Sequence, residues 1–499
     1  MEQIGKVGTI CPECLKSIEG IKFVEDGKVY IKKECDEHGT FTTLISNDIN
    51  HYLKMEECFD VDRARVKAPL TNVNKGCPYD CGICPSHKQD TCLAVVEVTD
   101  RCDLGCKYCF ADSTADASND PDMDTIRGMF EAVKACSNDP TCVQISGGEP
   151  TLRNDLPEII RLAKEVGISH VELNTNGRRI AREQDYLDLI KEAGVDAIYL
   201  GFDGVSDDVY MQRTGKKLFD IKAKVIDRCE KTGIGVVLVP LVAKNYNLHE
   251  VGEIIKFASQ HVPTVRGVHF QPVFYSGRSP DEMENRTTIL ELLEAVEAQT
   301  NGQLKVDNFT PSLMPTAHCG ATCLTLVDDS GFIPLTNVSM GAIKSKSDVA
   351  NKTKNSIMGR WKGSTPALQP VTKPSCCDLL TKTALSNASK NDETSSCCEK
   401  PGNTIPLETI PMESSCCRSG GGWTDFIEMS MNKYLTISTM AFQDVWSYEK
   451  ERVENCCIHV VTKDGKLIPF CNYNLSNCNG DFLYRSKNDK KNKAIGIEK

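Results

Sequence analysis

One spacing of cysteines occurs twice in this chain, and thiolates at such short spacings can hold an iron–sulfur cluster. The first triad comprises Cys77, Cys81 and Cys84, and the second triad comprises Cys102, Cys106 and Cys109. Cys92 follows the first triad as a fourth thiolate, which predicts a closed auxiliary [4Fe-4S] cluster. The second triad has no fourth cysteine nearby, so one iron would lack a protein ligand and could bind a small molecule. The second triad is therefore the predicted reactive centre.

The residues around the second triad indicate how it is positioned. The apolar run LAVVEVT at 93–99 predicts a buried strand that leads into the triad. Another apolar run, CVQIS at 142–146, ends at Gly147, Gly148 and Glu149. Glycines at the end of a strand let a ligand approach the backbone closely, so we expect a ligand beside these residues.

The two segments CDLGCKYCF and SGGEP together resemble the radical S-adenosylmethionine (SAM) enzymes. The resemblance implies a [4Fe-4S] cluster on the second triad, with SAM on the fourth iron and a 5′-deoxyadenosyl radical that attacks unactivated carbon. It also implies that Gly147, Gly148 and Glu149 contact the amino group of SAM. Asn176 and Asp203 are candidates for its ribose and carboxylate. The alternative for Asn176 and Asp203 is a helix cap after a strand.

Composition and charge limit the classes of function. The net charge is -11, whereas a nucleic-acid partner requires a basic face, so we expect no nucleic acid. No apolar run approaches the roughly 18 residues of a membrane span. We expect a cytoplasmic protein, with a peripheral contact at the membrane surface left open. The 26 cysteines indicate metal binding rather than a disulfide framework, and hence oxygen-sensitive chemistry in an anaerobic host.

Residues 94–305 alternate apolar runs with helical patterns, which predicts an α/β core. The predicted strands are at 93–99, 142–146, 170–175, 197–203, 235–242 and 267–273. Helices are predicted at 156–166 and 186–193, among others. Continuous apolar strands alternating with helices require a parallel sheet covered by helices. Six strands suggest the open, partial (β/α)6 barrel usual for radical SAM cores, with ligands at the carboxyl ends of the strands.

The first 70 residues are predicted to form a Cys-rich metal knuckle. The candidate ligands are two close pairs, Cys11 with Cys14 and Cys35 with His38. Between them, FVEDGKVYIKKE has the pattern of a hairpin that turns at residues 26–27. Ligand pairs at the ends of a hairpin suit one tetrahedral ion, either zinc or a single iron. The fourth ligand stays open here, because His38 gives a zinc-ribbon-like site and Cys58 gives an all-thiolate, rubredoxin-like site.

Two further regions complete the predicted domain organisation. Residues 71–93 carry the first triad, and residues 306–499 form a C-terminal domain with a further auxiliary cluster, which makes one or two auxiliary clusters in all. The favoured ligands of the C-terminal cluster are Cys319, Cys456, Cys457 and Cys471. Between about 345 and 422 the composition shifts to small polar residues and proline with three Ser-Cys-Cys copies, which predicts a low-complexity insert.

The order of these parts narrows the resemblance. CPEC, ECDEHGTF, GCPYDCGICPSHKQDTC, NTNG and ENCCIHVVTKDGKLIPFC in succession resemble the archaeal tetraether lipid synthase group over nearly the whole chain. That group implies the joining of two isoprenoid lipid chains at their terminal methyl carbons. The same group implies, as the alternative, methylation of 7,8-dihydro-6-hydroxymethylpterin in methanopterin biosynthesis. The expected partners are a lipid or a pterin substrate and a low-potential electron donor such as ferredoxin.

A non-catalytic iron–sulfur electron carrier is the alternative from another class of protein. Such carriers use four cysteines for each cluster and need no glycine motif at a strand end. The incomplete second triad and the SGGEP segment therefore favour catalysis.

Overall fold

A four-stranded antiparallel sheet opens the chain in the computed structural model. The model describes residues 1–61, 66–67, 70–117, 120–183, 185–279, 285–312, 316–338, 343–345, 354, 358–359 and 433–485. The first strands are β1 Glu2–Ile10, β2 Ser17–Glu25, β3 Lys28–Cys35 and β4 Gly39–Ser46, paired in that order. Asp26 and Gly27 both have positive φ, 50° and 74°, which is the backbone of the two-residue turn that matches the twist of a hairpin. The predicted hairpin is confirmed.

Six parallel strands form the centre of the large sheet. They are β6 Leu93–Thr99, β7 Cys142–Gly147, β8 His170–Thr175, β9 Ala197–Gly201, β10 Gly235–Val239 and β12 Val265–Pro272. The hydrogen-bonded order follows the chain from β6 to β12. Pro240 has no N–H to donate, and it separates β10 from the short β11, Leu241–Val242. The six predicted strands are confirmed within a few residues.

Helices connect these strands and cover one face of the sheet. They are α2 Met123–Cys136, α3 Leu156–Val166, α4 Arg178–Arg182, α5 Tyr186–Ala193, α6 Asp207–Thr214, α7 Phe219–Thr232, α8 Val251–Gln260 and α9 Ile289–Gln299. An earlier helix, α1 Ile49–Glu57, links the first sheet to the short strand β5, Phe59–Val61. The two helices whose bounds were predicted, α3 and α5, are confirmed. None of the helices in the described ranges is long and apolar enough to cross a bilayer.

Strands from the C-terminal third extend the parallel sheet on both sides. These strands are β13 Thr310–Pro311, β14 Gly320–Asp328, β15 Gly331–Pro334, β17 Tyr434–Met440, β18 Ile458–Val461 and β19 Leu467–Pro469. The same region contains α10 Lys450–Glu454, α11 Phe470–Tyr473 and the strand β16 Ile343–Ser345, which pairs with β5 in a separate sheet. β17 pairs parallel to β12, and β18 pairs parallel to β6. The hydrogen-bonded path ends at β13 and β19, which do not pair with each other. The predicted partial barrel that does not close is thus confirmed for the described residues.

The two faces of the large sheet differ in polarity, because successive side chains on a strand point to opposite faces. Val96, Ile145 and Leu173 are fully buried in one cluster with the helices. The alternate positions on the other face include the polar residues Glu97, Gln144, Glu172, Asn174 and His269. The face toward the helices is therefore apolar, whereas the other face mixes these polar residues with apolar ones such as Tyr199, Val237 and Val239.

All of the described residues belong to one compact unit, which spans Met1–Ser364 and Ser430–Lys499. A second unit, Thr365–Met429, lies outside the described residues, as does most of the predicted low-complexity insert with its Ser-Cys-Cys copies. The finer division at 1–70, 71–93, 94–305 and 306–499 stays a prediction.

Candidate active site and metal centres

The loop that carries the second triad is fixed to the end of β7 by backbone contacts. The N–H of Gly148 donates to Thr99 O at 2.7 Å, and the N–H of Glu149 donates to Arg101 O at 2.7 Å. A Cβ on Gly147 would lie 2.2 Å from Thr99 O, and one on Gly148 would lie 2.1 Å from Arg101 O. The glycines were expected to admit a ligand; the structure shows that they first admit the triad loop itself.

Arg278 holds the other end of this loop, and no sequence motif pointed to it. Its Nε donates to Cys106 O at 2.7 Å, and its backbone exchanges two hydrogen bonds with Cys109, of 2.8 and 3.0 Å. The guanidinium also donates to Asp112 Oδ1 and Ser113 O, both at 3.1 Å. Clamped from both sides, the loop presents three half-buried thiols in a fixed arrangement.

The three thiols of the second triad lie within electrostatic reach of one another. Burial, together with the smaller effects of the charges of Glu149, Cys106 and Cys109, raises the pKa of Cys102 to about 12. Burial also raises the pKa of Cys106. A bound iron–sulfur cluster would hold these sulfurs as thiolates, because a coordinating thiol loses its proton to the metal. The donor set of three sulfurs fits a [4Fe-4S] cluster with three protein ligands.

Glu149 connects the ends of two neighbouring strands. Its carboxylate Oε1 accepts from Thr175 Oγ1 at 2.7 Å and from Thr151 N at 3.1 Å, and its Oε2 accepts from Asn176 N at 2.6 Å. Only 2 % of Glu149 is exposed, and burial raises the pKa of its carboxyl. Glu149 thus braces β7 against β8, and its predicted contact with the amino group of SAM stays a prediction, as do those of Gly147 and Gly148.

Asn176 joins the end of β8 to the triad loop. Its Nδ2 donates to Asp103 Oδ1 at 2.9 Å, and its Oδ1 accepts from Arg178 N at 2.9 Å at the start of α4. The second contact is a local turn rather than the helix cap of the alternative, because Gly177 is the N-cap of α4. Asn176 therefore performs a structural role, and its contact with SAM stays a prediction.

Asp203 lies in a buried ionic cluster next to Cys106. Its carboxylate forms an ion pair with Arg213, which also donates to Tyr108 O at 3.3 Å. Burial lowers the pKa of Lys222 to about 8, although Asp203 raises it, and Lys222 Nζ donates to the carbonyl of Asn176 at 2.6 Å. Burial raises the pKa of Cys106, and the positive charge of Arg213 offsets part of this rise. Sequence analysis identified Asp203 but missed both cations, which no motif marks.

The N-terminal site is a single tetrahedral donor set. One donor atom from each residue lies within 4.8 Å of all the others in the group Cys11, Cys14, Cys35 and His38. The Cys58 thiol instead donates to Val338 O at 3.6 Å. The structure therefore places His38, and not Cys58, beside the three cysteines as the candidate fourth ligand. Three sulfurs and one imidazole nitrogen are a common ligand set of structural zinc.

The first triad lies outside the sheet, in a cavity that its three cysteines line together. Asn472 Nδ2 donates to Cys81 Sγ at 3.0 Å and to Cys77 Sγ at 3.7 Å. Tyr448 Oη lies 3.4 Å from Cys77 Sγ, and Tyr484 Oη accepts from Cys81 N at 3.0 Å. These neighbours are uncharged, and N–H and O–H donors to sulfur are typical of cluster ligands.

Cys92, which was expected to complete the first triad, lies next to a different cysteine. Its N–H donates to Cys457 O at 2.7 Å, and the two thiols hydrogen-bond each other. This contact and burial raise the pKa of Cys457. The reason is the sheet: Leu93 pairs with Ile458 where β6 meets β18, so the preceding cysteines must be neighbours. We therefore correct the grouping and place Cys92 beside the C-terminal cysteines.

The predicted C-terminal ligands lie within electrostatic range of one another, and their sharing of one cluster stays a prediction. Arg452 Nε donates to Cys319 Sγ at 3.3 Å, and Gln443 N donates to Cys471 Sγ at 3.3 Å. Burial raises the pKa of Cys456, and the charges of Cys471 and Cys319 raise it further. Cys319, Cys456 and Cys471 thus face one another, with the pair of Cys457 and Cys92 alongside. The set can supply a further iron–sulfur centre.

Comparisons with known proteins identify the family of this chain. Residues 96–258 match the radical SAM superfamily, and residues 3–47 match the HMPTM N-terminal zinc ribbon domain. The 7,8-dihydro-6-hydroxymethylpterin dimethyltransferase of Methanocaldococcus jannaschii is 35 % identical, over 94 % of this chain and 93 % of that protein. The chain belongs to the radical SAM superfamily and, within it, to the family of that dimethyltransferase. It is a radical SAM enzyme that uses a [4Fe-4S] cluster and SAM, and enzymes of this superfamily need a reductant.

More distant relatives share part of the chain. The probable GTP 3′,8-cyclase of Sulfolobus acidocaldarius is 27 % identical over 38 % of this chain and 62 % of its own length. Among solved structures, Streptococcus suis SuiB bound to its precursor peptide SuiA is 16 % identical over 43 % of this chain and 47 % of its own, with a TM-score of 0.35.

Proposed function

We propose that this enzyme is a radical SAM methyltransferase that acts on a 7,8-dihydropterin. The observation that carries the proposal is the 35 % identity, over nearly the full length of both chains, to a dimethyltransferase of 7,8-dihydro-6-hydroxymethylpterin. Sequence analysis placed lipid coupling first and pterin methylation second. The comparison supports the second reading, and it gives no support to tetraether formation or to a membrane-surface location.

The polarity of the large sheet also supports a polar substrate. An isoprenoid chain gains free energy only from apolar surroundings, at about 25 cal/mol for each Å² buried. The face away from the helices carries buried polar pairs beside its apolar residues. Gln144 Nε2 donates to Glu172 Oε2 at 3.2 Å, and Arg485 donates to Glu97 at 2.6 and 3.0 Å. A pterin has several hydrogen-bond donors and acceptors that such groups can match.

The residues of the chain have distinct roles in this proposal. When bound, the cluster and SAM supply a carbon radical, which can attack a C–H bond that no acid or base can activate. Cys102, Cys106 and Cys109 hold the cluster, and the clamp of Arg278 keeps their loop rigid. The ionic cluster of Asp203 and Arg213 places fixed charges beside Cys106. A low-potential donor such as ferredoxin would deliver the electron.

The test is product analysis with the full chain, reconstituted with iron and sulfide under argon and reduced with dithionite. We expect SAM cleavage to 5′-deoxyadenosine and, with 7,8-dihydro-6-hydroxymethylpterin present, pterin products heavier by one or two methyl groups in mass spectrometry. A Cys102→Ala variant is the matched control and should give neither. SAM cleavage with an isoprenoid lipid dimer, and no methylated pterin, would overturn the proposal in favour of lipid coupling.

A further inference from the structure

A pocket lies between the first sheet, α1 and the carboxyl ends of β12 and β17. The space inside it, including its open mouth, is about 770 Å³. Its walls include Tyr52, Val273, Arg286, His318, Phe442 and Arg452. This mixture of aromatic and polar groups is typical of small-molecule sites. Carboxyl ends of parallel strands are also where α/β enzymes bind their substrates.

One wall of the pocket is a rigid aromatic surface. The rings of Tyr52 and His318 stack with centroids 3.8 Å apart and an angle of 9° between their planes. Tyr52 Oη accepts from Lys22 Nζ at 3.0 Å, and His318 Nε2 lies 3.1 Å from Glu56 Oε1. Both rings are therefore held at their polar edges. Flat aromatic surfaces that are fixed in advance favour flat conjugated ligands.

The charges around the pocket largely cancel. Arg286 forms an ion pair with Asp444 at 2.7 Å, and Arg452 lies 3.7 Å from Glu449. Arg286 Nε is buried and has no hydrogen-bond partner in the described part of the chain. A neutral ligand with an acceptor atom suits this donor better than a phosphate would, because paired cations offer little net positive field.

The pocket lies one layer of side chains from the second triad. Val273 packs in one cluster with Tyr108, which lies between Cys106 and Cys109 in the sequence. Asn285, which precedes Arg286, donates to Tyr108 Oη at 3.2 Å. A ligand in the pocket is thus close to the loop that carries the cluster.

An aromatic path reaches the same loop from a second direction. Phe442 contacts Phe274 with ring centroids 5.5 Å apart, and Phe274 contacts Phe110, which follows Cys109, at 5.9 Å. On the opposite side, Arg452 donates to Cys319 Sγ. The pocket therefore adjoins both the second triad and the C-terminal cysteines.

We infer that this pocket binds the heterocycle on which the radical reaction occurs, a flat, neutral, conjugated ring with hydrogen-bond acceptors. The inference rests on the proposed function and specifies where its dihydropterin lies. The stacked rings of Tyr52 and His318 carry the recognition, with Arg286 as a donor. A second consequence is that the first sheet, which supplies part of the wall, takes part in substrate binding as well as in holding a metal ion.

The test measures binding of 7,8-dihydro-6-hydroxymethylpterin to the reconstituted full chain by anaerobic fluorescence titration. His318→Leu and Tyr52→Leu remove one ring each and should raise the Kd about tenfold, which is about 1.4 kcal/mol. Tyr52→Phe keeps the ring and should restore binding close to that of the unaltered chain. His249→Leu, at an exposed histidine away from the pocket, is the matched control and should leave the Kd unchanged. Iron content and melting temperature check that each variant is folded.

Two failures can be told apart. If the unaltered chain binds and methylates the pterin while both leucine variants bind it equally well, the pocket assignment is wrong and the proposed function stands. If the unaltered chain neither binds nor methylates the pterin, the proposed function and the pocket assignment both fall. If His318→Leu and Tyr52→Leu do not fold, the Kd values of Tyr52→Phe and Arg286→Lys decide the pocket assignment instead. Tyr52→Phe keeps the stacked surface, whereas Arg286→Lys alters the donor.

Discussion

The two triads share one spacing but have opposite surroundings. The second triad is attached to strand ends and has charged groups around it, namely Glu149, Asp203 and Lys222. The first triad lies on a loop in which Cys77 O accepts from Ser17 Oγ of β2 at 3.3 Å, and its sulfurs contact the uncharged groups of Asn472 and Tyr448. The cysteine spacing therefore determines which residues can hold a cluster, but it does not determine what that cluster does. The role follows from the position of the ligands in the fold.

The charged surroundings of the second triad suit a reactive cluster. Fixed charges next to an open site can bind and orient a charged cofactor, whereas neutral donors only stabilise sulfur ligands. Carboxyl ends of strands supply the fixed charges, because loops and helix starts converge there. The second triad has this position, and the first triad suits a supporting centre.

The largest expected effect comes from removing one thiol from each triad. Cys106→Ala should lower the rate of SAM cleavage by more than about 10³-fold, because the cluster loses one of its three protein ligands. The matched variant Cys81→Ala should lose iron but keep SAM cleavage. Rates come from 5′-deoxyadenosine quantification, and iron from metal analysis. Equal loss of SAM cleavage in both variants would erase the distinction between the triads.

The ionic surroundings of the second triad predict a stability effect. Arg213→Met leaves the Asp203 carboxylate, whose residue is 5 % exposed, without its ion-pair partner. We expect the free energy of unfolding to fall by about 3 kcal/mol, seen as a lower midpoint in anaerobic thermal melts. The control Arg182→Met removes an ion pair of a side chain that is 71 % exposed and should cost less than about 1 kcal/mol. Similar midpoints for the two variants would contradict the buried pairing.

The position of Cys92 predicts which pairs of cysteine substitutions remove iron from the same site. If Cys92 belongs with the C-terminal cysteines, Cys92→Ala combined with Cys456→Ala should lose little more iron than either change alone. Cys92→Ala combined with Cys81→Ala should lose the sum of the two single losses, because distant sites are additive. Iron per chain after reconstitution is the measurement. Additivity with Cys456 and none with Cys81 would return Cys92 to the first triad.

The smallest effect concerns the neutral donors of the first triad. Asn472→Leu removes the N–H groups that lie 3.0 Å from Cys81 Sγ and 3.7 Å from Cys77 Sγ. We expect iron release to a chelator to become about tenfold faster, the usual effect of removing an outer partner of a metal ligand. Asn479→Leu, at an exposed asparagine, is the control. The release is best followed by absorbance in a chain whose second triad is replaced by alanine, and identical release rates would show that the donors are idle.

Local sequence predicted most of the fold. Apolar runs flanked by turns marked the six strands, and Asp26–Gly27 marked the hairpin, because backbone preference and side-chain periodicity are local properties. The choice between His38 and Cys58 was not local. The turn between β3 and β4 brings His38 to the other ligands. Cys58 follows α1, and its thiol instead donates to Val338 O.

The site was predicted less completely, for physical reasons. Cys92 was grouped by nearness in sequence, but the register of β6 with β18 places it beside Cys457. Arg213, Lys222 and Arg278 act through long-range contacts, and a single cation in a helix or loop has no distinctive pattern. The cysteine ligands were visible because metal chemistry restricts residue type, whereas ion pairs are set by tertiary packing.

The two flanking strands β17 and β18 have a consequence for biogenesis. A nascent chain leaves the ribosome N-terminus first. The outer edges of β6 and β12 therefore stay unpaired and prone to aggregation until residues 434–461 have been synthesised. The sulfurs of Cys319, Cys456 and Cys471 likewise meet only after that point. Iron delivery to that centre must therefore wait for a finished polypeptide, and a chaperone that shields bare edges in the interval would raise the yield of holoenzyme.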